Sequence, residues 1–202
     1  MSNASTIRRQ VAGTQQLTIA PILGTVVTTT ETVFQLNNNG LTLTGGGYIP
    51  LVAGVTGLYQ GTGAVIWIHA AGTLTATSAN VATLILKLYQ VPASFLPVPS
   101  ADTSAQVITG SNLIATSATG TLAAGRTSGS FFLDAYVQLD AQGNLTGTFE
   151  GETFNTVTPF AALTQVTGLV GEADLNFFVT ATQGVAETGN VVTLDEFSLN
   201  AV

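Results

Sequence analysis

The chain has no cysteine, one histidine and few ions: 4 Lys and Arg with 11 Asp and Glu make up 7% of its 202 residues. Each scarcity excludes something. Without Cys there is no disulfide framework, no thiolate nucleophile and no Cys-ligated zinc. An average soluble domain is about 25% charged, so this surface is built from other residues. Glu, Lys, Arg and Leu do not dominate, which argues against a helical bundle. No run approaches the ~20 apolar residues of a membrane helix. Met1–Gln10 lacks the apolar stretch of a secretory leader. The expectation is a chain with no membrane segment.

What is present is 46% hydrophobic residues and 22 Gly. Thr stands at roughly one position in six, which favours pleated strands. So much apolar material with so little charge also argues against disorder. The apolar period is two. Val26 to Leu36 alternates and stops at Asn37-Asn38-Asn39-Gly40. Leu41–Thr44, Tyr48–Val52 and Val55–Tyr59 read as short extended pieces between glycines. Ala64-Val65-Ile66-Trp67-Ile68-His69-Ala70 is apolar on both faces, as in a central strand covered on both sides. Thr73–Thr77 continues it past a bulge after Gly72. In Val81–Val91, Ile85, Lys87 and Tyr89 share one face; Leu84, Leu86 and Leu88 share the other.

Pro92, Pro97 and Pro99 mark residues 92–110 as a long surface excursion. Ser111–Ala118 is a further strand. Ser130–Leu139 and Leu145–Phe154 form a hairpin around Asp140–Asn144. Phe160–Val170 is ambiguous. Asp174–Thr182 and Val191–Asn200 form a last pair. About ten short strands with glycine punctuation predict an all-β antiparallel sandwich or barrel. One domain over 15–202 is expected, preceded by an N-terminal arm over 1–14.

Chemistry is sparse. His69 sits in the most apolar strand and no G-x-S-x-G elbow surrounds any Ser, so a Ser–His–Asp triad is not expected. The imidazole reads as a core or subunit-interface group; its functional alternative is a pH-sensitive contact near an oligomer axis. Trp67 reads the same way. Glu150 and Glu152 point to one face of a strand, with Asp134 on the partner strand. A glycosidase pair or a calcium site could be drawn from them. Gly151 and the adjacent loop instead mark them as solvated carboxylates, and Glu172, Asp174, Asp195 and Glu196 are placed alike. Tyr48, Tyr59, Tyr89 and Tyr136 are scattered, which argues against a sugar-binding platform. No phosphate-binding glycine loop precedes a helix. No catalytic residue, cofactor or metal is expected.

The net charge of −7 is unevenly spread. Arg8 and Arg9 lie in the first ten residues, and from Val11 onward only Lys87 and Arg126 face all 11 acids. A body carrying nine more acids than cations has no electrostatic grip on phosphates, so nucleic acid is not an expected partner. The tip, with Ile7, Arg8 and Arg9, reads either as a frayed terminus or as an arm that contacts an acidic or apolar surface and is ordered when bound.

Several stretches, in order, resemble a family of small bacteriophage virion proteins, the capsid decoration or cement proteins. They are Gly63–Leu74, Leu84–Tyr89, Phe131–Ala135, Asp140–Gly147, Leu175–Thr182, Gly189–Leu194 and Phe197–Leu199. The likeness spans roughly 15 to 202 and lies in strand patterns, and the Pro-rich 92–110 segment departs from it. The resemblance implies a jelly-roll like that of tumour necrosis factor and no catalytic residues. It implies a homotrimer bound to the major capsid protein or another virion protein, in a particle assembled in the host cytoplasm. In that setting Ile7, Arg8 and Arg9 would touch the shell, and Trp67 and His69 a neighbouring subunit. The competing expectation is a receptor- or carbohydrate-binding head of a fibre or tail, using 92–110 and the Glu150/Glu152 hairpin. An enzyme acting on glycans is the third.

Overall fold

The computed structural model describes residues 17–18, 24–26, 29–34, 48–50, 65–76, 81–91, 104–139, 144–154, 156–157, 167, 176–184 and 190–201. Among these are thirteen strands: β1 Leu17–Thr18, β2 Gly24–Val26, β3 Thr32–Val33, β4 Tyr48–Pro50, β5 Val65–Thr75, β6 Ala82–Val91, β7 Asn112–Thr116, β8 Gly120–Leu122, β9 Ser128–Leu139, β10 Leu145–Thr153, β11 Thr156–Val157, β12 Asn176–Gln183 and β13 Val191–Ala201. One short helix, α1, covers Ser104–Thr109. Every strand pairing is antiparallel.

Two sheets result. Sheet A has the order β1-β13-β5-β9-β10-β11, with β2 also on β13; sheet B has the order β3-β12-β6-β7, with β4 on β12 and β8 on β6. The long strands alternate buried and less buried residues. From sheet A, Ile66, Ile68 and Ala70, with Leu133, Ala135 and Val137, face inward. From sheet B, Leu84, Leu86 and Leu88, with Phe177, Val179 and Ala181, meet them in one apolar core. Burying each large side chain contributes about 1.5–3 kcal/mol. The chain is therefore an all-β antiparallel sandwich.

Four expectations are corrected. The run from Val26 to Leu36 is not one strand: β2 joins sheet A and β3 joins sheet B, with bends at Thr29 and Thr30 where the chain crosses. The last two strands do not pair with each other. β12 lies between β3 and β6, and β13 between β1 and β5, because both have buried inner faces and each fills a central place. The irregularity expected after Gly72 lies on the partner strand, where the register shifts between Leu194 and Glu196. β5 itself runs unbroken. Within 92–110, Ser104–Thr109 is helical; residues 92–103 lie outside the described set.

The hairpin of β9 and β10 forms as expected, with Glu150 opposite Asp134. Its loop, 140–143, lies outside the described residues, as do Leu41–Thr44, Val55–Tyr59, the arm with Ile7, Arg8 and Arg9, and 160–166 with 168–170 of the ambiguous segment. Gly125, at φ 79°, turns the chain into β9, a backbone that glycine adopts without strain.

Candidate functional site

The outer faces of the two sheets differ. On sheet B the outward residues Phe178 and Thr180 are fully buried, and Tyr89 stacks on Phe178 with ring centroids 5.1 Å apart. Glu31, in the crossing between the sheets, seals this side. Its carboxylate accepts hydrogen bonds from Lys87 Nζ, from Tyr89 Oη at 2.7 Å and from Thr180 Oγ1 at 2.8 Å. Burial by itself raises the Glu31 pKa. The three hydrogen bonds and the Lys87 charge outweigh it and hold the carboxyl below its ordinary range. Burial, followed by the Glu31 carboxylate, pushes the Tyr89 phenol up. The sequence placed Lys87 and Tyr89 on one face correctly, but Glu31 carried no local signal.

The outer face of sheet A is more open. Three neighbouring strands set Trp67 opposite Tyr136, His69 opposite Asp134, and Asp134 opposite Glu150. Trp67 Nε1 and His69 Nδ1 both lie 2.8 Å from Asp134 Oδ1. A carboxylate only accepts, so both rings donate to it, Trp67 from Nε1 and His69 from Nδ1. The Trp67 and Tyr136 rings are nearly parallel, 17° apart with centroids at 6.5 Å. Tyr136 is 42% exposed, one of two large apolar side chains so exposed among the described residues.

Of the two readings of Trp67 and His69, core group or subunit-interface group, the first is corrected, since neither belongs to the apolar core. Among the described residues, only the Ile66, Ile68 and Ala70 side of their strand enters the sandwich. The aromatics that looked scattered are also brought together in part: Tyr136 lies beside Trp67, while Tyr89 belongs to the opposite sheet.

Beyond His69 the face turns acidic. Glu152 pairs across from Phe132, which pairs across from Ala71, which pairs across from Glu196. The bulge sets Asp195 beside them. An open depression of about 390 Å³ is lined here by Ala71, Gly72, Ser130, Phe131, Phe132, Glu152, Asp195 and Glu196. Asp134, Glu150, Glu152, Asp195 and Glu196 therefore share one side of the molecule. The described cations are not paired with them: Lys87 is bound to Glu31 on sheet B, and Arg126, just before β9, makes no salt bridge to these carboxylates. No group of three or more His, Cys, Asp or Glu is placed to hold a metal ion among the described residues.

Ser198 is the register partner of His69 on β13, so an acid, an imidazole and a hydroxyl lie on adjacent strands. They do not make a nucleophilic triad. No hydrogen bond joins Ser198 to His69, and Ser198 is 4% exposed, which denies a substrate access to its hydroxyl. Ser198 also lies within the ladder, between β1 and β5, where backbone N–H groups serve strand pairing rather than an oxyanion.

No helix among the described residues is long and apolar enough to cross a membrane. No family model matches the chain, and no curated protein matches it. Among solved structures, the crystal structure of endo-beta-1,4-glucuronan lyase from the fungus Trichoderma reesei is similar over 76% of this chain and 73% of that chain, at 10% identity and a TM-score of 0.31. A likeness that weak carries no argument about what this chain does.

Proposed function

We propose that this is a non-enzymatic structural protein of a bacteriophage particle, a homotrimeric jelly-roll that decorates or cements the shell. The observation that carries the proposal is the interleaving of early and late strands. β1 and β2 lie beside β13, β3 and β4 beside β12, and consecutive strands β5 and β6 lie in opposite sheets. That nesting is what a jelly-roll wrap requires. The stretches that resemble the phage family fall largely on β5, β6, β9, β10, β12 and β13, which make the centres of both sheets.

Two features support a role without turnover. The imidazole is engaged with Asp134 and, among the described residues, has no accessible nucleophile beside it. The surface carries few ions, so contact with other subunits strips little hydration from charge. Many such contacts on one shell add up by multivalency. Light scattering of the full chain, followed by its localisation in intact particles, tests the reading. A trimer found in assembled particles is expected. A stable monomer that is absent from particles and turns over a small substrate overturns it.

A further inference from the structure

We propose that the aromatic and acidic outer face of sheet A receives the N-terminal arm, around Ile7-Arg8-Arg9, of a second copy of this chain. The inference rests on the multi-copy reading above for the identity of the partner.

Charge selects the occupant. Apart from Asp134, which is engaged by Trp67 and His69, the face presents Glu150, Glu152, Asp195 and Glu196 with no cation paired to them among the described residues. Two such faces pressed together would set carboxylate against carboxylate. Half of this protein's cations stand instead in its first ten residues, as Arg8 and Arg9. A guanidinium suits both parts of the face: it stacks on the Trp67 and Tyr136 rings and takes a carboxylate through two parallel hydrogen bonds.

Size agrees. Between the levels of Trp67 and Ala71, β13, β5, β9 and β10 present a strip roughly 15 Å by 15 Å, about 200 Å². Two folded faces in a stable pair each bury about 800 Å². A strip this small suits an extended segment with an apolar residue and two arginines.

The strand levels and the length of the arm set its reach. Thr18 is opposite Ser198, and Leu17 is opposite Leu199. Ser198 is level with His69 and Leu199 with Ile68. β1 therefore begins level with Ile68, on the Trp67 side of His69. Glu150, Glu152 and Glu196 lie level with His69 and Ala71. Arg8 and Arg9 stand nine and eight residues before Leu17, so they can reach up to about 30 Å from it toward an adjoining copy.

Trp67 is the only Trp, so its emission reports this face. The test follows the mass and Trp67 emission of the full chain across concentration, at low and high salt. Far-UV circular dichroism confirms that each variant folds. Association with a parallel emission change is expected, weakened by salt. Arg8→Ala with Arg9→Ala weakens it about tenfold or more, and Glu150→Gln with Glu152→Gln acts in the same direction. Arg8→Glu and Arg9→Glu combined with Glu150→Lys and Glu152→Lys restores it. If the Lys variants do not fold, the near-isosteric Gln pair decides. An oligomer indifferent to the Ala and Gln pairs overturns the arm contact and leaves the multi-copy reading standing. An emission change that is independent of concentration, at constant mass, assigns the face to the chain's own arm and overturns the proposal. A monomer under all conditions overturns both readings.

Discussion

Trp67 and Asp134, 67 residues apart in sequence, are joined across β5 and β9 by a hydrogen bond of 2.8 Å from Nε1 to Oδ1. The same oxygen takes His69 Nδ1. One carboxylate thereby fixes the orientation of both aromatic side chains of β5 before anything binds. Such preorganisation lowers the ordering cost of an aromatic contact surface.

Asp134→Ala removes both acceptor contacts. Hydrogen bonds to charged groups contribute about 1.5–3 kcal/mol each, and water can replace part of that at a partly exposed site. We expect a loss of about 1–2 kcal/mol in urea unfolding and a red shift of Trp67 emission as the indole gains mobility and water. Unchanged emission would mean that Asp134 does not hold the indole.

Glu31 makes the protein acid-sensitive. Its folded carboxyl lies below the ordinary value of 4.5. The stability it supplies is therefore in full above that ordinary value and is lost as pH falls through the lower folded value. Thermal unfolding should show a falling midpoint below about pH 5. Glu31→Gln should lower the midpoint at neutral pH and flatten the acid limb. An equally steep acid limb in the variant would assign acid sensitivity to other carboxylates.

Tyr89→Phe separates the polar and apolar parts of the same cluster. The stack on Phe178 remains, while the bond to Glu31 at 2.7 Å is lost. A loss of about 1–3 kcal/mol is expected by chemical denaturation. A variant as stable as the parent would show that stacking alone supports this side.

Gly72 stands where β5 meets the bulged strand. A Cβ there would overlap the Thr193 carbonyl oxygen and the end of the Phe131 ring. The carbonyl belongs to the backbone and cannot swing aside, so Gly72→Ala should cost about 1–3 kcal/mol or more through overpacking. Thermal unfolding measures this, and Ala76→Gly, at a buried position just beyond β5, serves as a cavity-forming control. A neutral Gly72→Ala would mean that β13 can shift away.

Much of the sandwich was legible because a half-buried strand imposes a period of two. The faces of β6 followed from Leu84, Leu86 and Leu88 alone, and the β9–β10 hairpin from a glycine-bearing loop between two alternating runs. The site was not legible in the same way. Trp67 meets Tyr136, and His69 meets Asp134, only because β5 and β9 pair across more than sixty residues. No local pattern encodes that register. The apolar look of Val65–Ala70 came from Trp67 and Ala70 pointing to opposite faces, one toward the outside and one into the core. Glu31 was hidden for a similar reason, since its partners Lys87, Tyr89 and Thr180 come from two distant strands.

The place of β13 governs how the molecule can be made. It is inserted between β1 and β5, and β12 likewise between β3 and β6. On the ribosome, sheet B cannot close until Asn176–Gln183 has been synthesised, nor sheet A until Val191–Ala201 has, and the bare edges of β6 and β5 stay available for mispairing until then. Folding should accordingly be late, slow and dominated by long-range closure, and a nascent chain stalled before β13 should be a substrate for chaperones rather than a half-built sandwich.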